Sequence, residues 1–180
     1  GVVGVITPYN FPVMIPMWFW PMAVACGNTV VLKPSEQDPL THQKIVELAE
    51  QAGLPAGVLN VVHGGPDIAE AMVDHPEIEA ISFVGSSRVA KSVYARAAKT
   101  GKRVQALGGA KNHMMVLPDA DPEVVSAAII GSVFGSAGKR CLAGSLIVGV
   151  GDAYDPMRER LLDEAGSLKI GNGLDDGVFM

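Results

Sequence analysis

A cysteine in a glycine-rich bend is the residue of this sequence best suited to covalent chemistry. Cys141 ends the run Gly138-Lys139-Arg140-Cys141, where backbone N–H groups can stand near a thiol and favour the nucleophilic thiolate. The alternative is a small buried apolar residue, the commoner role of an arbitrary free cysteine. Cys26 lies in an apolar run and fits that alternative. Cys141 lies between charged residues and a glycine turn, so it is the candidate nucleophile.

Two polar segments follow apolar, strand-like runs. Asn10, within Tyr9-Asn10-Phe11-Pro12, can donate its amide to a developing oxyanion, although these residues equally suit an ordinary turn. Lys33 and Glu36 are separated by Pro34 and Ser35 and can each take a ribose hydroxyl, although a surface ion pair would have the same sequence. Each segment alone is weak evidence of a site, and the functional interpretation depends on the order of the segments along the chain.

A third polar segment stands where a strand gives way to a helix. Gly85 and Ser86 follow an apolar run and precede a helical pattern, so free N–H groups and the helix dipole can face a pyrophosphate there. The same two residues also cap helices that bind nothing. The segment therefore predicts a phosphate site only in combination with the others.

A parallel sheet is needed to position these residues, and the spacing of apolar runs predicts one. Short runs read as strands alternate with amphipathic segments read as helices, a rhythm typical of a Rossmann-like α/β fold with helices on both faces. The predicted strands are 2–7, 29–32, 58–62 and 80–84, and the helices are 39–52, 69–74 and 87–99. A second part follows, with strands 114–117 and 145–150 and helices 122–134 and 155–165.

Composition and charge exclude several classes of protein. The formal charge of −5 is spread along the chain without a basic block, which argues against a nucleic-acid partner. The two cysteines lack metal-ligand or disulfide spacing, so we expect no metal site and a reducing, cytoplasmic environment, or a mitochondrial matrix if a targeting peptide has been lost. The apolar segment 11–26 contains three prolines and reads as a buried helix rather than a membrane span.

Taken in order, these motifs resemble the aldehyde dehydrogenase superfamily along the whole chain. The resemblance implies that Cys141 is the nucleophile, that Asn10 stabilises the oxyanion, and that the cofactor is NAD. It implies NAD-binding roles for a further group of residues: Thr7, Tyr9, Lys33, Glu36, Gln37, Gly85, Ser86 and Gly108. It also implies an NAD-binding domain at 1–108, truncated at its N-terminal side, and the first part of a catalytic domain at 109–180.

One departure from the superfamily pattern concerns the release of the product. Hydrolytic members carry a general-base glutamate in a Glu-Leu-Gly-Gly-Lys run, whereas this chain has Ala106 or Leu107 at that position, depending on the alignment. A thioester without a base hydrolyses slowly and can pass to another thiol. The resemblance therefore implies coenzyme A as the acyl acceptor.

The runs Gly-Ala-Lys-Asn-His and Gly-Lys-Arg-Cys resemble the methylmalonate/malonate semialdehyde dehydrogenase branch. That branch implies a small semialdehyde substrate whose carboxylate Arg140 would bind, products acetyl-CoA or propionyl-CoA with CO2, a role in valine or inositol breakdown, and a homo-oligomer, dimer or tetramer. Arg140 as a solvated loop charge is the alternative. A hydrolytic aldehyde dehydrogenase and a non-catalytic nucleotide-binding relative remain as rival functions.

Overall fold

The computed structural model of the protein describes residues 1–180. The chain divides into two compact units, Gly1–Gly109 and Ala110–Met180. No helix in either unit combines the length and the apolar character that a bilayer crossing requires.

The first unit is built on a five-stranded, fully parallel sheet, and the predicted Rossmann-like architecture is confirmed. Its strands lie in the order β3-β2-β1-β4-β5. They are β1 (Val2–Ile6), β2 (Thr29–Lys33), β3 (Leu59–Val61), β4 (Ile78–Val84) and β5 (Arg103–Leu107). Ile6 at the end of β1 stands opposite Lys33 of β2 and Phe83 of β4, so three carboxyl ends meet at one edge. The order reverses between β1 and β4, which is where open α/β sheets place ligands.

Helices cover both faces of this sheet. They are α1 (Met14–Met17), α2 (Trp20–Ala25), α3 (Pro39–Gln51), α4 (Pro66–Asp74) and α5 (Ser87–Lys99). Neighbouring residues of a strand point to opposite faces, so Val5 packs among α1, α2 and α3 while Ile6 packs among α4 and α5. Burial on both faces explains why the central strands are continuous apolar runs rather than alternating ones.

The helix boundaries follow from their end residues. Pro39 occupies the first turn of α3 and Gly53 takes φ +97° just after it, as the sequence predicts. Asp38 stands at the N-cap position, but its carboxylate accepts a hydrogen bond from the Thr41 hydroxyl (2.8 Å) rather than from a backbone N–H. Helix α5 spans the predicted residues, and Ser86 caps it by accepting from the Val89 N–H.

The structure departs from the sequence analysis in three places. Strand β5 was not predicted, because its burial alternates along the strand at the edge of the sheet and so leaves no apolar run. Segment 11–26 forms two short, half-exposed helices, α1 and α2, with Trp18 and Phe19 between them, rather than one buried helix. Cys26 is exposed, because it lies four residues after Met22, which is 66% exposed on the same face of α2.

The second unit holds two parallel strands and two helices. Strand β6 (Asn112–Val116) pairs with β7 (Gly144–Gly149), with an irregularity between Asn112 and His113. Helix α6 (Pro122–Val133) connects them by way of a tight turn, and α7 (Tyr154–Gly166) follows. Asp121 caps α6 by accepting from the N–H groups of Glu123 and Val124 at 2.8 and 3.2 Å, which makes the start of this helix well defined.

Candidate active site

A cleft of about 620 Å³ opens at the edge of the first unit where β1, β2 and β4 end. Six residues assigned to cofactor binding from the sequence line it together: Thr7, Lys33, Glu36, Gln37, Gly85 and Ser86. Tyr9, Asn10 and Gly108 lie outside this lining. The parallel register brings together polar groups that are up to 79 residues apart in the chain, from Thr7 to Ser86.

Lys33 presents a buried ammonium group to the cleft. Its residue is 4% exposed, and its Nζ donates to the Pro34 carbonyl oxygen (2.8 Å) and lies 3.5 Å from Glu36 Oε2. Glu36 itself is 57% exposed. The Lys33–Glu36 ion pair, given above as the alternative to a ribose site, is therefore present. Its cation is buried, however, and lysines are rarely buried unless they are paired. The pair offers a donor and an acceptor suited to the hydroxyls of a ribose.

The Thr7 side chain forms a hydrogen bond with a buried histidine. His42, which is 1% exposed, places Nδ1 at 3.3 Å from the Asp38 carbonyl oxygen and Nε2 at 3.3 Å from Thr7 Oγ1. A carbonyl oxygen can only accept, so Nδ1 carries the proton and the Thr7 hydroxyl donates to Nε2. Burial lowers the pKa of His42 below its ordinary value, chiefly by desolvation of the charged form. The imidazole is therefore neutral near pH 7.

The N-terminus of α5 faces the same cleft. Gly85 and Ser86 lead into this helix of 13 residues, whose first turn holds no acidic side chain. Behind the turn, the Ser87 hydroxyl accepts from the Gly109 N–H (3.0 Å), and a Cβ added at Gly108 would lie 3.0 Å from Ser87 Oγ. Gly108 thus permits close packing against the start of α5 instead of lining the cleft. The free N–H groups and the dipole at this terminus suit a pyrophosphate.

The far wall of the cleft, formed by α4 and α5, was not predicted from the sequence. Gly65, Pro66, Glu70, Arg88 and Arg96 line it. Arg96 pairs with Glu70 (Nη1 to Oε2, 2.8 Å) and also with Asp74, and the hydrogen bond from Arg96 lowers the pKa of Asp74. The Gly65-Pro66 step, which starts α4 at the same sheet edge, is the sequence feature that could have indicated this wall. With this wall, the lining of the cleft runs from Lys33 and Glu36 to the start of α5.

The candidate nucleophile of the second unit follows a turn of unusual backbone conformation. Ser136, Ala137 and Gly138 have φ values of 54°, 51° and 69°, so three successive residues adopt the left-handed conformation. Such conformations cost free energy in residues other than glycine and are found mainly where the surrounding structure enforces them. Cys141 lies three residues beyond this turn and is half-buried. The residue is accordingly not buried in an apolar core.

Arg140 folds back on the helix that precedes it. Its Nη1 donates to the Gly131 carbonyl oxygen (3.2 Å) and its Nε donates to Ser136 Oγ (3.3 Å). A Cβ added at Gly135 would lie 2.9 Å from the guanidinium carbon, so that glycine makes room for the side chain. The guanidinium thus donates to a carbonyl oxygen in the last turn of α6 and, through Ser136, links that helix to the strained turn. This pair of contacts is called the brace below.

Hydrogen bonds from two other side chains fix the backbone around Cys141. Asn112 Nδ2 donates to the carbonyl oxygens of Cys141 (2.9 Å) and Ala143 (3.0 Å). Ser132 Oγ accepts from the Gly144 N–H (2.9 Å), which ties the start of β7 to α6. The loop around the candidate nucleophile is thus held at both ends.

Comparison with known proteins gives consistent results. The profile of the aldehyde dehydrogenase family matches residues 1–180. Over all 180 residues the chain is 56% identical to malonate-semialdehyde dehydrogenase 1 of Geobacillus thermodenitrificans, and covers 37% of that protein. The crystal structure of methylmalonate-semialdehyde dehydrogenase from Oceanimonas doudoroffii superposes with a TM-score of 0.95 at 48% identity, over 99% of this chain and 37% of that one.

A further solved structure adds a bound cofactor to the comparison. A protein of Sinorhizobium meliloti 1021, assigned as a methylmalonate-semialdehyde dehydrogenase and complexed with NAD, superposes with a TM-score of 0.97 at 49% identity, over 100% of this chain and 37% of that chain. The chain thus spans about a third of the length of the relatives it matches. The family match over its whole length, joined to the parallel sheet and the cysteine loop, shows that this chain belongs to the aldehyde dehydrogenase family.

Proposed function

We propose that the full-length protein is an NAD-dependent, CoA-acylating semialdehyde dehydrogenase. It would convert malonate semialdehyde or methylmalonate semialdehyde to acetyl-CoA or propionyl-CoA with release of CO2. The names of the relatives at 48–56% identity support the substrate class. In this proposal residues 1–108 belong to the NAD-binding domain and residues 109–180 begin the catalytic domain.

Cys141 is the nucleophile of the proposed reaction. Its Sγ thiolate adds to the aldehyde carbon, and the carbonyl oxygen becomes an oxyanion that the Asn10 carboxamide and the Cys141 backbone N–H stabilise. Removing one donor from such a site typically costs about 2.7–4 kcal/mol of barrier. The half-buried position of Cys141 supports this role, since part of the residue stays exposed while its carbonyl oxygen is held by Asn112.

The cleft of the first unit is the proposed cofactor site. Lys33 and Glu36 would bind a ribose through its hydroxyls, and the N-terminus of α5 at Ser86 would bind the pyrophosphate. NAD, when bound, supplies the two-electron acceptor that turns the cysteine adduct into a thioester. The preference for NAD over NADP follows from the Glu36 carboxylate, which would repel a phosphate on the same ribose.

The acyl-transfer step rests on a single observation about β5 and the residues after it. The run from Val104 to Lys111 contains no aspartate or glutamate, and Ala106 packs against the apolar core of the first unit. Water therefore lacks the base that a hydrolytic relative would use. The thiolate of coenzyme A instead attacks the thioester carbonyl, the acyl group passes to it, and the Cys141 thiolate leaves.

Arg140 is proposed to bind the carboxylate of the semialdehyde. Two of its five N–H groups are committed to the loop, and three remain to meet a carboxylate in the charge-assisted geometry that arginine favours. Loss of that carboxylate as CO2 from the enzyme-bound thioester leaves an enolate, which takes a proton to give the shorter acyl group. We also propose a homo-oligomer, dimer or tetramer, for the full-length protein.

The test is product analysis with the full-length protein. NADH formation from malonate semialdehyde is followed while coenzyme A is varied, and the products are separated by liquid chromatography. The proposal predicts acetyl-CoA in equal amount to NADH and a rate that depends on coenzyme A. Cys141→Ser should form neither product.

Two other results would identify the rival functions. Free acid formed at a rate independent of coenzyme A would establish the hydrolytic enzyme instead. No NADH, together with a Cys141 thiol that aldehyde does not protect from labelling, would identify a non-catalytic relative.

A further inference from the structure

We infer that Asn112 is a positioning residue for the nucleophile, acting through the backbone of Cys141 and not through substrate. The inference rests on the proposed role of Cys141. Asn112 Nδ2 donates to the carbonyl oxygens of Cys141 at 2.9 Å and of Ala143 at 3.0 Å. Both acceptors are carbonyls, so the atom that meets them must be the amide nitrogen, whose two protons serve one acceptor each.

The loop that carries Cys141 depends on these hydrogen bonds because apolar packing holds it on one side only. Leu142 is 77% exposed, while Ala143 is buried. The Ala143 N–H donates to the Arg140 carbonyl oxygen at 3.1 Å, which closes a four-residue turn with Cys141 at its second position. Asn112 bonds the two carbonyls on either side of Leu142 and thereby fixes the plane of the peptide that follows the nucleophile.

The position of Asn112 in β6 explains why its side chain can reach that turn. Asn112 is the first residue of β6 and pairs with Gly144, and the register shifts between Asn112 and His113. Irregularities of this kind redirect a side chain away from the regular alternation of a strand. The carboxamide therefore points along the sheet edge into the turn that precedes β7.

Fixing the Cys141 carbonyl also constrains the two groups that the reaction uses. The Cα of Cys141 carries the side chain and is bonded to both the amide nitrogen and the carbonyl carbon, so a carbonyl held in place restricts where the Sγ and the N–H can lie. A misplacement of about 1 Å at a reacting atom can reduce a rate about a hundredfold. Asparagine is the suitable residue, since serine has one hydroxyl proton and aspartate would direct an anion at two carbonyl oxygens.

The experiment compares Asn112 with an asparagine that makes the same contacts elsewhere. Asn60 Nδ2 donates to the carbonyl oxygens of Val30 (3.3 Å) and Gly57 (2.9 Å) in the first unit, so Asn60→Ala is a matched control for the loss of two backbone hydrogen bonds. All variants carry Cys26→Ser, because the exposed Cys26 would otherwise react with thiol reagents. The full-length protein is used throughout.

Two readouts are measured for Asn112→Ala, Asn112→Asp and Asn60→Ala. The first is the rate of Cys141 alkylation by iodoacetamide as a function of pH, which requires no substrate. The second is kcat and KM with malonate semialdehyde. We expect Asn112→Ala and Asn112→Asp to lower kcat about tenfold to a hundredfold with KM changed less than about threefold, and to shift the pH profile of alkylation. Asn60→Ala should leave both readouts unchanged, although it should lower the melting temperature about as much as Asn112→Ala does.

The outcomes separate this inference from the proposed function. An Asn112→Ala protein with wild-type kcat and wild-type alkylation would overturn the positioning role, whatever the products are. Equal losses of kcat in Asn112→Ala and Asn60→Ala would likewise show a merely structural contribution and overturn it. A wild-type protein whose Cys141 resists alkylation altogether would instead contradict the proposed function.

Discussion

Replacing Arg140 should separate its two roles, the brace seen in the structure and the carboxylate contact proposed for it. Two of its N–H groups donate to Gly131 and Ser136 at 3.2 and 3.3 Å, and three remain available. Two charge-assisted hydrogen bonds to a carboxylate contribute about 3 kcal/mol at the low end of their range, which suits an exposed side chain. Since each 1.36 kcal/mol is about a factor of ten in rate, the carboxylate contact alone predicts a loss of roughly 150-fold.

The brace contributes less, because its two contacts are long and their acceptors are uncharged. We assign it about 1 kcal/mol, or roughly fivefold, and that loss should affect every aldehyde equally. The assay measures kcat/KM of wild type and Arg140→Gln for malonate semialdehyde and for propionaldehyde, which lacks the carboxylate. The ratio of kcat/KM for malonate semialdehyde to kcat/KM for propionaldehyde should therefore fall about 150-fold in the variant, since the loss of the brace cancels in the ratio.

Lys139→Gln controls for the removal of a positive charge next to the nucleophile. That variant should leave the ratio within about threefold of wild type, since a general field effect is screened at an exposed site. An Arg140→Gln protein that loses the same factor for both aldehydes would refute the carboxylate contact and leave only the brace. A fall in propionaldehyde activity alone would contradict both roles assigned to Arg140.

Three further predictions concern the first unit. Glu36→Gln should raise the affinity for NADP relative to NAD about tenfold at low salt, measured by calorimetric titration with both nucleotides, and an unchanged ratio would contradict the charge argument. Burial lowers the pKa of His42 from 6.5, so below about pH 6.5 the unfolded chain binds more protons at this residue than the folded chain does. The free energy of unfolding should therefore fall as the pH drops below about 6.5. In urea titrations at pH 7.5 and 5.5 this fall should be smaller in His42→Gln, and an equal fall would exclude His42 as a cause. Gly108→Ala should lower the free energy of unfolding by about 1–3 kcal/mol, because the added Cβ would crowd Ser87, and thermal melts measure this loss. Gly166→Ala in α7 is the control, since a Cβ there meets nothing within 4 Å, and it should leave the stability unchanged or raise it.

Much of the first unit could be predicted because its signals are local. The buried strands are continuous apolar runs, and the rule that ligands bind where strand order reverses places Lys33 and Ser86 at one edge. Strand β5 escaped prediction because an edge strand that is half-exposed has no apolar signature. Cys26 escaped because the apolar run around it covers both faces of a six-residue helix, one of which is exposed to solvent.

The contacts of the nucleophile loop could not be predicted for a different reason. Asn112 meets residues 29 and 31 positions away, and the meeting depends on the register between β6 and β7 and on its irregularity. The brace of Arg140 depends on two non-glycine residues with positive φ, a conformation that sequence preferences disfavour. Such features become visible only when the backbone is known, since tertiary structure enforces them against local preference.

We propose that the acyl group stays on Cys141 until a thiol accepts it, because no carboxylate in this segment stands where a hydrolytic relative has its general base. A single-turnover experiment with the full-length protein, NAD and malonate semialdehyde, without coenzyme A, distinguishes this from hydrolysis. We expect a burst of NADH equal to the number of active sites and an acyl group on Cys141 in the mass spectrum, released on addition of coenzyme A. Continuous turnover to free acid with an unmodified Cys141 would contradict it.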